Sequence, residues 1–198
     1  MNPNIQDRII GCFLGVAIGD ALGASVEMKS AEYIADKYGR ITDYLSPKHK
    51  KIRKSETTDD WQLTAATATA LLEAGGLNMD KMAYYHIEAM RDSTKGWGGT
   101  TKGAVKNLES GISWKESGIS REGKGAGNGV CMKLAPLAIW SLGADIDYKI
   151  FINQFTRMTH DTEIAVVASA AMMKAIQFCL RTPHIQSKDD FIFSGEET

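Results

Sequence analysis

Apolar residues return every three to four positions through most of the long segments of this chain, and only four prolines interrupt them. That spacing lays one apolar stripe along a helix, so the pattern predicts helices joined by Gly-rich loops and an all-α class. The predicted helices run roughly over 7–23, 61–74, 79–91, 100–109, 129–142, 147–158 and 162–180, and the last carries the strongest pattern. Between them, the basic run from Lys48 to Lys54 reads as a solvated loop. The stretch from Gly118 to Gly129 is too polar to bury and too short to link domains, which makes it an ordered surface loop. The polar tail after Arg181 is expected at the periphery. There is no internal repeat and no low-complexity segment.

At 198 residues the chain can build one sizeable core, and one domain is expected over 1–198. Charged residues make up 24% and nearly cancel to a net charge of -1, so no global field draws in nucleic acid or an anionic membrane. Any anion must then be held by a local site. The three cysteines Cys12, Cys131 and Cys179 are far apart among apolar neighbours, the usage of buried reduced thiols in a cytoplasmic protein. The opening MNPNIQDR lacks the basic region of a secretory signal, and the apolar stretch after it soon meets Asp20 and Glu27, so neither export nor membrane spanning is expected.

Four clusters could carry chemistry. In the first, Gly11, Gly15, Gly19 and Gly23 form a smooth helical stripe that a second backbone could approach. Asp20 and Glu27, seven residues apart, share a face if that helix continues, and two carboxylates there could line a site or serve structure. In the second, Thr58, Asp59 and Asp60 precede the helix beginning near Trp61. They suit an N-cap, and equally a hard all-oxygen set for Mg2+ or Ca2+. In the third, Gly123 to Gly129 runs into a predicted helix, where backbone amides and the helix dipole would favour phosphate. It is neither a Walker A loop nor a dinucleotide fingerprint. In the fourth, Thr159, His160, Asp161 and Thr162 stand before the longest helix, with Thr162 a fitting N-cap. Trp97, among Gly96, Gly98 and Gly99, is a candidate exposed ring for stacking on a base.

In this order the clusters resemble the ADP-ribosylglycohydrolase family, over most of 7–175. GCFLGVAIGDALGASVE is similar to the family's first helix and TTDDWQLT to its Thr-Asp-Asp-Thr metal motif. GWGGTTKGA is similar to its Gly-Tyr-Gly loop, GAGNGVCMKLAP to its phosphate loop and THDTEIAVVASA to its Thr-His helix start. The resemblance implies an orthogonal all-α bundle whose cleft binds ADP-ribose, or an ADP-ribosylated substrate, beside two Mg2+ ions. It implies Thr58, Asp59 and Asp60 as metal ligands, with Asp60 essential to catalysis and Glu27 as the acid/base or substrate-orienting carboxylate. Asp20 would support the site, Trp97 and Gly98 would meet substrate, Gly127, Asn128 and Gly129 would hold the diphosphate, and His160 would line the cleft. The activity implied is Mg2+-dependent hydrolysis of a glycosidic bond to ADP-ribose, the alternative being an ADP-ribose-binding protein without turnover or one half of a split enzyme.

Three substitutions depart from the family pattern: Trp61 for the second Thr of the metal motif, Trp97 for Tyr and Lys133 for Arg. The family's later Asp-x-Asp-Thr motif lies about a hundred residues further on. The sequence stops at Thr198, and Asp189-Asp190 is a poor substitute, so part of the metal shell is expected from elsewhere. A bundle lacking that part would expose an apolar face, which predicts association with a second copy or a partner chain.

Overall fold

The computed structural model describes residues 3–46, 53–120, 125–143 and 148–182. These residues hold eight α-helices, one 3-10 turn and a single isolated β-bridge, so the all-α expectation holds. In chain order the helices are α1 (Pro3–Gly23), α2 (Ala31–Tyr38), α3 (Asp59–Ala74), α4 (Met79–Asp92), α5 (Gly99–Glu109), α6 (Ala135–Ser141), α7 (Tyr148–Arg157) and α8 (Glu163–Arg181), with the 3-10 turn at Cys131–Lys133. Most of the basic run at 48–54, the polar tail after 182, Asp147, Asp189 and Asp190, and Gly123 and Lys124 lie outside the described residues.

Helix ends follow local chemistry. Asn78 accepts from the Lys81 amide at 3.0 Å and starts α4, and Thr162 accepts from the Ala165 amide at 3.3 Å and starts α8 as expected. Gly75, left-handed at φ 64°, closes α3. Two elements differ from the sequence pattern. The expected helix over 129–142 is a 3-10 turn followed by a separate seven-residue α6, because Pro136 supplies no amide and fits only the first turn of a new helix. The short α2 was not signalled: its apolar positions Ala31, Ile34, Ala35 and Tyr38 make a stripe only two turns long and none of its residues is fully buried, while its Ser30 cap and the Tyr33–Tyr38 edge contact support it.

The core forms around α3, which packs against α1, α4, α6 and the 3-10 turn, while α6 and α7 both lean on α8. Leu63, Met82, Leu134, Leu137, Phe155 and Met158 are fully buried there. Each large apolar side chain so removed from water contributes about 1.5–3 kcal/mol. Trp97 belongs to this cluster and is only 8% exposed, with its Nε1 donating to Gln62 Oε1 at 2.8 Å, so it is no exposed stacking ring.

The glycine stripe of α1 is a further correction. Nothing described lies within 4 Å of where a Cβ would stand on Gly11, Gly15, Gly19 or Gly23, so no second backbone among the described residues approaches it. Ile10, Leu14 and Ile18 on the same helix are also exposed, as are Ile164, Val167 and Met172 on α8. The expected apolar face is present on these two helices. By length and composition α8 is apolar enough to cross a membrane. In this structure its buried Ala165, Ser169, Met173 and Leu180 face the bundle. The cysteines are free, yet Cys12 and Cys131 are only half-buried and Cys179 is exposed, so the expectation of three buried thiols fails.

Candidate functional site: an acidic cleft under two Gly-rich loops

The end of α1 anchors the site. Past Gly23 the chain keeps a helical turn, with the Glu27 amide bonded to the Gly23 carbonyl at 2.9 Å, and this brings Asp20 and Glu27 to one cavity. Asp20 Oδ2 accepts from the amides of Thr58 at 2.7 Å and Trp61 at 3.1 Å, and Oδ1 accepts from the Thr58 hydroxyl at 2.6 Å. Thr58 therefore occupies the N-cap position of α3 without capping it through its own side chain. Asp20 caps α3 from a different helix, a carboxylate where the dipole favours negative charge. Trp61, with its ring edge-on to Phe13 at 6.4 Å between centroids, adds a packing contact between the same two helices.

The next wall is the loop before α5. Gly96 sits at φ 79°, and a Cβ there would stand 2.6 Å from Thr58 Cβ and 2.9 Å from Asp59 Oδ1, so only glycine lets this loop close over the acidic residues. Gly98 donates its amide to Asp59 Oδ2 at 3.4 Å. Across the cavity, Gly127, Asn128 and Gly129 form an exposed turn beside His160. A Cβ on Gly129 would stand 2.6 Å from Thr101 Oγ1 and 3.0 Å from His160 Cε1. His160 is held by the parallel bridge to Ile119, in which the Ile119 amide bonds to Thr159 O and the Asp161 amide to Ile119 O, both at 3.1 Å. Because only a 3-10 turn follows Gly129, the helix-dipole part of the phosphate-cradle expectation has no support; a close backbone turn remains.

These parts enclose a cavity of about 700 Å³. Of the residues singled out from the sequence, Asp20, Glu27, Thr58, Asp59, Asp60, Gly98, Gly127, Asn128, Gly129 and His160 all line it. Trp97 does not; its glycine neighbours do. Thr101 also lines it, inside the quoted GWGGTTKGA stretch but not selected there, since one Thr on a helix gives no signal by type alone.

Among the described residues four carboxylates and one lysine, Lys29, face this space, an excess of negative charge. The Asp60 carboxyl is pushed up to about 6, first by removal from water and then by the charges of Asp20, Asp59 and Glu27. Asp59 is raised as well, chiefly by burial, with the Gly98 amide opposing. Carboxylates and a hydroxyl are hard donors, and their mutual repulsion is the condition a small divalent cation relieves, so the donor chemistry suits Mg2+. Among the described residues, however, no group of three or more His, Cys, Asp or Glu side chains converges closely enough to hold an ion alone.

A sequence profile of the ADP-ribosylglycohydrolase family matches residues 1–196. The chain belongs to that family. Among curated relatives, an ADP-ribosyl-(dinitrogen reductase) glycohydrolase of Rhodospirillum rubrum is 26% identical over 175 residues, covering 88% of this chain and 58% of that protein. The ADP-ribosylarginine hydrolase Tri1 of Serratia proteamaculans is 25% identical over 142 residues, 68% of this chain and 37% of that protein. The protein YegU of Escherichia coli is 28% identical over 183 residues, 86% of this chain and 53% of that protein. The chain spans about half the length of the curated relatives it matches. The membership agrees with the resemblance carried by the motifs, and the residues carrying those motifs meet at one cavity in this ADP-ribosylglycohydrolase-family chain, Trp97 excepted.

Proposed function

We propose that this chain supplies the acidic face and phosphate turn of a Mg2+-assisted hydrolase that cleaves an N- or O-glycosidic bond to ADP-ribose. The observation that carries the reading is the meeting of Asp20, Glu27, Thr58, Asp59 and Asp60 with the Gly127–Gly129 turn at one cavity. The names of two relatives, one acting on ADP-ribosylated dinitrogen reductase and one on ADP-ribosylarginine, support the substrate class.

In this reading Thr58, Asp59 and Asp60 are the metal-holding residues, and Asp20 keeps them in place by capping α3. Bound Mg2+ would orient ribose hydroxyls and lower the pKa of a water. The Gly127–Gly129 turn and His160 fix the diphosphate end of the substrate. Glu27 takes a proton as water oxygen bonds to the anomeric carbon and the bond to the leaving nitrogen or oxygen breaks, then returns that proton to the leaving atom. The carboxylates of Asp59 and Asp60 stabilise the positive charge that develops on the sugar. Asp60→Asn is expected to abolish release of ADP-ribose from a modified protein in the presence of Mg2+ while leaving the helical spectrum intact; unchanged turnover removes the metal assignment.

One observation favours a second reading, an ADP-ribose binder without turnover: among the described residues no group of three or more His, Cys, Asp or Glu side chains could hold a metal ion. ADP-ribose binding that ignores Mg2+, with no release from modified protein, selects it. The partner we propose is a second copy of the chain, seated on the apolar face of α1 and α8. A cytoplasmic location is part of the same proposal.

A further inference from the structure

Lys133, His86 and Thr159 are buried behind two buried residues of the cavity wall, His160 and Thr101. Lys133 is fully buried, and no ion pair reaches it from the described residues. Its Nζ lies 2.9 Å from His86 Nε2, 3.4 Å from Thr159 Oγ1 and 4.8 Å from the centre of the Phe155 ring. Three N–H bonds thus have three directions to go. Thr159 Oγ1 in turn lies 3.0 Å from His160 Nδ1.

The direction of each hydrogen bond follows from what each atom can do. His86 Nδ1 is 2.8 Å from the Met82 carbonyl, which only accepts, so Nδ1 carries the hydrogen. Burial holds His86 neutral, its pKa lowered well below the ordinary histidine range, and its Nε2 is therefore a lone pair that Lys133 fills. An ammonium has no lone pair, so toward Thr159 it must also donate. That bond is long, yet the charge turns the hydroxyl oxygen toward Lys133 regardless, and the hydroxyl hydrogen is left pointing at His160 Nδ1. A neutral His160 that accepts at Nδ1 carries its own hydrogen at Nε2. Burial first, and the charge on Lys133 second, keep that ring neutral down to about 4.

A second observation lies where Nε2 emerges. It is 3.2 Å from the point a Cβ on Gly129 would occupy and 4.0 Å from that point on Gly127. The Thr101 hydroxyl, 2.6 Å from the same Gly129 point, is buried and has no hydrogen-bond partner among the described residues. An orphaned buried hydroxyl costs about 1–3 kcal/mol, and in a cavity wall it marks a place where a ligand atom completes the bond.

We infer that Lys133, acting through Thr159, is a positioning residue that holds His160 as the Nε2–H tautomer, so that His160 and Thr101 together donate to one anionic oxygen of the substrate's diphosphate under the Gly127–Gly129 turn. The ligand half of this inference rests on the proposed function; the tautomer half does not.

Two-bond 1H–15N correlation spectra of the 15N-histidine-labelled full chain, taken below pH 7 where Lys133, depressed to about 7 by burial, is charged, read the tautomer directly. The wild type is expected to show His160 Nε2 protonated and Nδ1 bare. Lys133→Met should populate the Nδ1–H form, Lys133→Arg should restore Nε2–H, and Thr159→Val, which leaves the Lys133–His86 pair in place, should also populate Nδ1–H if the methionine variant fails to fold. His160 protonated at Nδ1 in the wild type, or an unmoved tautomer in the folded variants, overturns the inference. Thr101→Val should weaken ADP-ribose binding roughly tenfold, the loss of one charge-assisted bond, with the tautomer unmoved. Unchanged affinity overturns the ligand half, whereas no ADP-ribose binding by the wild type, with the expected tautomer, refutes the proposed function and leaves the positioning role of Lys133 standing.

Discussion

Individual residues divide by whether their type alone announces a role. The types of Asp59, Asp60 and Glu27 left capping and chemistry open; the family resemblance put them in one site, and the structure brings all three to the cavity. Trp97 was not legible, because a ring flanked by glycines looks exposed in sequence, while in the fold the glycines face the cavity and the ring turns into the core. Lys133 was visible only as a departure from arginine; nothing local says that a lysine will be buried without a carboxylate, since His86 comes from a distant helix. For Asp60 the electrostatics predict a measurable pH effect. Its carboxyl rises from an ordinary 3.8 to about 6 in the folded protein, so folding favours the neutral form, and stability is lost as pH climbs between those values. In chelator, Asp60→Asn should stabilise the chain above pH 6 by about 1–2 kcal/mol after solvent screening and change nothing below pH 4. Thermal melts across that range check it, and a pH-independent difference contradicts the cause assigned here.

At the level of elements, the long helices were legible from apolar periodicity, and their ends from Asn78, Gly75 and Thr162. What escaped were features set by pairs of elements. Thr58 has the sequence of an N-cap, yet its hydroxyl is engaged by Asp20, which caps α3 from α1. One carboxylate thereby fixes the angle between the two helices that present the acidic cluster. Asp20→Ala removes three hydrogen bonds and leaves the Thr58 and Trp61 amides without that acceptor. A loss of about 1–3 kcal/mol follows, or roughly 2–10 °C in melting temperature for a chain of this size. Scanning calorimetry of the variant checks it; a melting temperature equal to wild type would mean that α3 needs no cap from α1. Pro136 shows the opposite case: apolar periodicity runs straight through it, yet the backbone obeys the local rule and starts a new helix there.

For the whole molecule, fold class and the gathering of four separate motifs into one site were legible, because their order along the chain carries the family resemblance and the family profile matches 1–196. The glycine stripe misled, since close helix packing needs a partner that the described residues do not provide. That stripe instead widens an apolar surface with Ile10, Leu14 and Ile18, continued on α8 by Val167 and Met172. Exposed apolar surface of this kind drives association. Sedimentation velocity is expected to show a concentration-dependent dimer that Leu14→Glu disperses without loss of helicity; a wild-type monomer at all concentrations refutes the second-copy proposal.

The proposed chemistry needs one cavity to serve both a divalent cation and a nucleotide diphosphate. Isothermal titration of ADP-ribose into the chain, with Mg2+ and again with chelator, tests this most directly when repeated on Asp60→Asn. Saturable binding that strengthens with Mg2+ in the wild type and loses that dependence in the variant is the predicted result. Absence of binding, or a Mg2+ effect that survives in Asp60→Asn, contradicts the claim.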